Sequence, residues 1–351
     1  MIKILSLADK DEWHDYLSKM NAEDIYFTPE YLNSNELIIN GKAECFIYES
    51  NNCTMLYPYL KRLINGSIFY DISSGYGFGG FIAWPRNRGV KEFRKVFHQY
   101  CIDNNIVSEF IRFHPFFYNH SLTTYESEFI ENYQPVVYSD FCKDNFDIRN
   151  MINNEAWKKI KKAEKKSVEV CQNDQDIAYQ KFYSLYCETM NRLNATKFYF
   201  FNPNFFRSIR EEMASSQILF IASYQGAIVG GLWILFGKTF SYNFLSCSDA
   251  NYAHLGINDL LQWKGLEWAY QSGKQKHLLG GGRKGEDSLF RFKTKFSSDR
   301  QNYYLGKIIH LHEIYEKLCD DINGLGYSER EKLGTMGWFP YYRGMDADTL
   351  V

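Results

Sequence analysis

The chain has 351 residues, enough for about two domains that each bury a core, so a small module stapled by disulfides or a metal is excluded. Hydrophobic residues at 45% and charged residues at 23% exclude a disordered chain, and 40 basic against 42 acidic side chains leave a net charge of -2. No global field therefore favours nucleic acid or an anionic membrane, and aromatic residues at 18% suit either broad cores or stacking clefts for sugars and nucleobases.

The 8 cysteines are scattered, with no CxxC pair and no Cys/His cluster at metal-ligand spacing, so reduced thiols in a cytoplasmic protein and no metal are expected. The amino terminus, MIKILSLADKDEW, becomes charged before an apolar signal core can form. The long apolar run from Ile218 to Gly237 is interrupted at Ser223 to Gly226 by a turn signal, and reads as paired buried strands rather than a membrane span.

In chain order, Asp9 to Met20 has the acidic start and apolar spacing of a helix, and Thr28-Pro29 opens a second one. ECFIYES, TMLYPYLKR and SIFYDIS follow as an antiparallel meander separated by NN and NG turns, then a glycine-rich loop, SSGYGFGG. Val90 to Asn104 reads as a helix with Phe93, Val96 and Phe97 on one face, and SEFIRFHPF as a strand. The second half repeats this order. Helices near Tyr179 to Leu193 and Pro203 to Met213 precede QILFIASY, AIVGGLWILFG and FSYNFLSCS. A helix from Asn258 to Gln271, with Gly273 as C-cap, then leads to the strand KHLLGGG. Between the halves, NEAWKKIKKAEKK carries lysines around much of a helix, either as a solvated connector or as a phosphate-steering patch. The expected division is a first domain over 1–150, a second over 151–343 that includes this basic helix, and a tail over 344–351.

Two helices, a meander, a glycine turn, a helix and a strand, occurring twice, resemble the FemABX-like double-GNAT acyltransferases. These are peptidoglycan-bridge aminoacyltransferases and related N-acyltransferases of polysaccharide clusters. The resemblance is carried by Tyr70-Asp71-Ile-Ser-Ser-Gly-Tyr76-Gly77-Phe78-Gly79-Gly80, Arg112-Phe113-His114-Pro115, the basic helix, Thr189-Met-Asn-Arg192, His277-Leu-Leu-Gly280-Gly-Gly282, Ser288-Leu-Phe-Arg291-Phe292-Lys293 and Phe339-Pro-Tyr-Tyr-Arg343. It implies an α/β (α+β) chain of two tandem GNAT-like domains, each a mixed, mainly antiparallel sheet flanked by helices. There are two departures. The chain has no room for the helical arm of the tRNA-using ligases, and the donor loop keeps one glycine, His254-Leu-Gly256-Ile-Asn258, where acetyl-CoA enzymes carry a fuller phosphate-binding turn.

Amide formation needs an uncharged amine, an activated acyl carbonyl and a donor for the oxyanion. Asp71 and His114, at ends of predicted strands, are candidate bases, with an Asx cap and a structural histidine as their alternatives. The resemblance assigns Lys293 to stabilising the reacting carbonyl or an acceptor phosphate. Tyr76, Gly77 and Phe78 in the glycine loop, with Arg112, Arg192, Arg283, Arg291 and Phe292, are candidate substrate-binding residues. Gly256 and Asn258 are expected at the donor's diphosphate. Read as an alternating strand, the segment around Lys293 places Arg291, Lys293 and Lys295 on one face. The resemblance implies N-acylation of a nucleotide-linked amino sugar by an acyl-CoA, acetyl-CoA first, in cell-envelope polysaccharide synthesis. A transferase charged by aminoacyl-tRNA or an acyl carrier protein, and a sugar- or peptide-binding double-GNAT protein without catalysis, are the alternatives.

Overall fold

The computed structural model describes residues 1–122, 130–144, 146–283, 285–323 and 339–343. The expected tail at 344–351 and Lys284 of the basic glycine cluster lie outside them. In chain order the elements are β1 (Ile2–Ser6), α1 (Lys10–Lys19), α2 (Pro29–Ile39), β2 (Lys42–Glu49), β3 (Thr54–Leu63), β4 (Tyr70–Ser73), β5 (Ile82–Trp84), α3 (Val90–Asp103) and β6 (Ile106–Arg112). They continue with β7 (Ile130–Asp140), α4 (Ile148–Met151), α5 (Asn154–Lys165), β8 (Glu169–Gln172), α6 (Asp176–Arg192), α7 (Pro203–Glu212), β9 (Gln217–Tyr224), β10 (Ala227–Phe236) and β11 (Phe240–Ser248). The last are α8 (Ile257–Gln271), β12 (Lys276–Gly281), α9 (Ser288–Lys293), β13 (Asp299–Ile309) and α10 (His312–Asn323).

Two compact units form, and they interleave along the chain. The first takes residues 1–133 and 196–212 and the described residues from 303 on; the second takes 134–195 and 213–302. In the first unit the strand order is β1-β2-β3-β4-β6-β13, antiparallel except for the parallel pair β4/β6, with β5 added on β3. The second unit has the order β8-β9-β10-β11-β12-β7, again antiparallel except for one parallel pair, β11/β12. A parallel neighbour needs a crossover. α3 lies in the connection from β4 to β6 and α8 in that from β11 to β12, so the duplicated order read from the sequence is a duplicated topology. One strand of each unit is exchanged along the chain: β7, from the first half, pairs with β12 in the second unit, and β13, from the second half, pairs with β6 in the first.

The local chemistry sets the ends of these elements. Thr28 caps α2 by accepting from the Tyr31 amide, with Pro29 at the first helical position, and the Asn153 side chain caps α5 through the Ala156 amide. α5 buries Ala156, Ile160 and Ala163 and turns its lysines outward. α8 lies close on its sheet because Gly265 has no side chain there: a Cβ would meet Leu232 Cδ2 at 2.7 Å. The first-unit core is strongly aromatic, with Phe46, Tyr57, Phe81, Phe93 and Phe97 packed together.

The segment around Lys293 corrects an expectation. Ser288–Lys293 is helical, not an alternating strand, because Asp287 caps it by accepting from the Phe290 amide. Arg291, Lys293 and Lys295 consequently do not share one face of a strand.

Candidate functional site

In the first unit, β4 runs into the loop Ser74 to Gly80, whose glycines are demanded by geometry. Gly77 has φ +96° and a Cβ there would lie 2.5 Å from the Tyr26 ring; Gly80 has φ +91° and would meet Asn119 at 2.7 Å. The loop is tied to α2 by the Tyr76 amide donating to Asn35 Oδ1 at 2.7 Å and by the Tyr31 hydroxyl donating to the Tyr76 carbonyl. Tyr76 packs edge-on to Phe201 at 5.0 Å, and Phe78 to Tyr26 and Tyr303, each at 5.3 Å.

Arg112 ends β6 beside this loop; its amide donates to Ser74 Oγ at 3.1 Å and its carbonyl accepts from the Gly79 amide at 2.7 Å. Its side chain lies over the Phe110 ring at 4.8 Å, and neither Nη1 nor Nη2 has a hydrogen-bond partner among the described residues although both are buried. The Arg112 charge acts on the phenols of Tyr76, Tyr133, Tyr199 and Tyr303, all of which burial makes harder to ionise. The structure thus brings Tyr76, Gly77, Phe78 and Arg112 together, and adds Tyr133, Tyr199 and Tyr303. In the sequence the only sign of these three is the general abundance of aromatic residues.

Asp71 and His114 have other work in the fold. Asp71 is fully buried: Oδ1 accepts from Arg62 Nε at 2.6 Å, and Oδ2 accepts from Arg343 Nε at 2.5 Å and the Tyr342 hydroxyl at 3.1 Å. Both of its oxygens are spent on two guanidiniums and a phenol, so the expected base sits instead as a structural hub. His114 is also fully buried. Its Nδ1 accepts from the Phe116 and Phe117 amides at 3.1 and 3.3 Å, and its Nε2 faces Asp24 Oδ1 at 3.4 Å. Both ring nitrogens are occupied, which is the structural-histidine alternative rather than an available base.

In the second unit, Lys293 at the end of α9 reaches back to the glycine run that ends β12, donating from Nζ to the Gly281 carbonyl at 2.7 Å. Burial lowers its pKa to about 8, partly opposed by Asp287. The positive φ of Gly280, +91°, leaves space that a Cβ would fill at 2.9 Å from Nζ. Nearby, the Arg283 amide donates to Asp287 Oδ2 at 3.0 Å and Arg283 Nη1 to the Leu193 carbonyl at 3.1 Å. Arg192, which closes α6, donates to the Ser248 carbonyl at 3.3 Å. Arg291 is exposed and donates to the Glu286 carbonyl at 3.1 Å, whereas Phe292 packs partly into the core beside Phe296 at 5.3 Å. Arg283 thus reaches from the end of β12 to the end of α6 and Lys293 returns to the β12 glycines, whereas the Arg192 side chain turns to the end of β11; Arg291 and Phe292 make other contacts.

Gly256 and Asn258 stand at the start of α8, where a donor diphosphate was expected. Gly256 is left-handed at φ +79°, but α5 covers it: a Cβ there would lie 2.9 Å from the Lys159 carbonyl oxygen. The first turn also holds a buried carboxylate, Asp259, whose Oδ1 has no partner and whose pKa is raised by burial against the pull of Lys159. A negative charge in the first turn opposes an anion there, so these residues do not fit a diphosphate.

Residues 150–294 match the model of the acetyltransferase (GNAT) domain family. No curated protein matches the chain in sequence. Among solved structures, the chain is similar to FemX at 11% identity and a TM-score of 0.70, over 90% of this chain and 99% of that one. It is also similar to the C-terminal domain of a putative lysylphosphatidylglycerol synthetase from Agrobacterium fabrum, at 12% identity and a TM-score of 0.53, over 86% and 92% of the two chains. A tandem GNAT protein from the clavulanic acid biosynthesis pathway matches at 8% identity and a TM-score of 0.51, over 88% and 98%. Among the described residues no helix is long and apolar enough to cross a membrane. The repeated topology and these likenesses together give this chain a FemABX-like double-GNAT fold, of which residues 150–294 match the acetyltransferase (GNAT) domain family.

Proposed function

We propose that the chain is an N-acyltransferase that forms an amide on an amino group of a nucleotide-linked amino sugar, in cell-envelope polysaccharide synthesis. The observation that carries the transfer step is Lys293: a half-buried ammonium beside a glycine run in the GNAT domain, aimed at a backbone carbonyl. When an amine attacks an activated acyl carbonyl, negative charge develops on the carbonyl oxygen. A preorganised cation in a poorly solvated place stabilises that oxygen. With pKa about 8, Lys293 is still mostly protonated at neutral pH and can serve as that cation. Arg192, whose guanidinium donates to the Ser248 carbonyl, and Arg283, which donates to the Leu193 carbonyl and also pairs with Asp287 at 4.0 Å, are the candidates to hold an anionic part of a substrate. Asp71 and His114 are not offered as bases, since each is held by other groups.

The GNAT fold implies an acyl-CoA donor. Isothermal titration with acetyl-CoA and with desulfo-CoA tests it. Saturable binding followed by an acylated amino sugar supports this reading, and absence of binding by either removes the CoA donor. A second reading, a donor carried on tRNA or on an acyl carrier protein, is favoured by two features: the covered start of α8, and the exposed Lys158, Lys162, Lys165 and Lys166 of the α5 region, which have no ion-pair partner among the described residues. If turnover with an aminoacyl donor is abolished by ribonuclease, that reading replaces the CoA one.

A further inference from the structure

Three arginines of the first unit are buried: Arg62, Arg94 and Arg112. Two of them hold carboxylates supplied by the fold. Arg62 Nε donates to Asp71 at 2.6 Å, and Arg94 grips Glu109 with both Nη atoms, at 2.9 and 2.7 Å. Arg112 is 5% exposed and, among the described residues, has neither an ion pair nor a side-chain hydrogen bond. A buried cation with no counter-ion is costly, and the Phe110 ring beneath it at 4.8 Å offsets only part of that cost. Both Nη groups are unspent, which is the arrangement that Arg94 uses for a bidentate carboxylate.

We propose that Arg112 is the recognition site for a carboxylate carried by the substrate, with the phenols of Tyr76, Tyr133, Tyr199 and Tyr303, on which its charge acts, as the neighbouring donors. The inference deepens the acyltransferase reading by naming a group on its acceptor, and it rests on that reading only in calling the ligand an acceptor. Charge favours a carboxylate over a phosphate dianion. Arg112 is a cation acting on the phenols of Tyr199 and Tyr303, and its single positive charge balances a monoanion better than a dianion. Among the described residues the hydroxyls of Tyr133 and Tyr303 have no hydrogen-bond partner, and both rings meet edge-on at 5.8 Å, so these hydroxyls can donate to a carboxylate oxygen. The Nη atoms are shielded from solvent, so a ligand reaches them by displacing neighbouring side chains, and Tyr133 and Tyr199 are half-buried.

The full chain is titrated, without any donor, with benzoate and D-galacturonate and, in parallel, with methyl galacturonate ester and inorganic phosphate; heat and tyrosine fluorescence report binding. Saturable binding of a carboxylate, weaker by about 30-fold for R112Q, is expected. Loss of binding on esterification is expected too. R112K keeps the charge but not the fork and should recover only part of the affinity, while Tyr303→Phe and Tyr199→Phe, which remove one hydroxyl each, weaken binding a few-fold and cover the case in which R112Q does not fold. Binding that is equal for acid and ester, binding of phosphate in place of the carboxylates, or no saturable binding of either carboxylate overturns the proposal. Because no donor is present, these results leave the acyltransferase reading untouched. Conversely, carboxylate binding with no acylated product from any donor would sink that reading and keep the site.

Discussion

Replacing Lys293 with methionine keeps the length of the side chain and removes the ammonium. In the folded chain burial lowers the lysine pKa from 10.5 to about 8. At about 1.4 kcal/mol per pKa unit, that shift corresponds to about 3 kcal/mol of folding stability. Below about pH 8 the folded and unfolded states both hold the proton, and the folded state bears the full penalty of a buried charge. Between about pH 8 and 10.5 the unfolded chain still binds the proton while the folded chain has released it, so stability rises with pH. Wild type should therefore gain about 3 kcal/mol relative to K293M across that window, because other titrating groups are common to both proteins. Urea unfolding of the two proteins, followed by tryptophan fluorescence at several pH values from neutral to alkaline, measures the difference directly. Parallel pH dependences would refute the reasoning, since Lys293 would then be solvated like an ordinary surface lysine. The same variant should fold and lose turnover. Full activity in K293M would remove the assigned role in stabilising the carbonyl oxygen.

Asp71→Asn leaves Arg62 and Arg343 facing a neutral amide in a buried place and should destabilise the protein by about 3–5 kcal/mol; differential scanning calorimetry reads this as a lowered Tm, and an unchanged Tm with lost turnover would restore Asp71 as the reacting base. Glu109 is a second buried hub. Burial alone would raise its pKa, but Arg94 and the hydrogen bonds from His310 and Arg94 outweigh it and hold the carboxyl at about 2, against an ordinary value of 4.5. This group contributes stability above about pH 4.5 that is lost as pH falls toward 2, about 3 kcal/mol at full extent. In an acid titration followed by circular dichroism, E109Q should be less stable at neutral pH and lose much of the acid-dependent fall; an unchanged fall would show that other carboxylates govern it.

Much of the architecture could be read in the sequence because it is written in neighbouring residues. Alternation with short turns marked β2 to β4 and β9 to β11, Thr28-Pro29 marked the start of α2, and the glycine at 273 adopts the left-handed φ of +69° that follows α8. The repeat of these signals half a chain apart made the double-GNAT resemblance visible. α9 was misread because six residues of alternating aromatic and basic character fit a strand as well as a helix, and the Asp287 cap decides between them only once the chain is folded.

What tertiary structure alone decided depends on partners far away in sequence. β7 and β13 join sheets of the opposite unit from the half of the chain they come from, which no local pattern encodes. Asp71 became a structural hub because Arg343, 272 residues away, meets it. His114 looked available until the Phe116 and Phe117 amides were found on one nitrogen. Arg112 is the reverse case. Its residue type is evident in the sequence, but the absence of a counter-ion depends on which side chains burial places around it. Secondary structure follows from contiguous residues and their backbone preferences, whereas the state of a charge is set by the solvent and partners that folding removes or supplies.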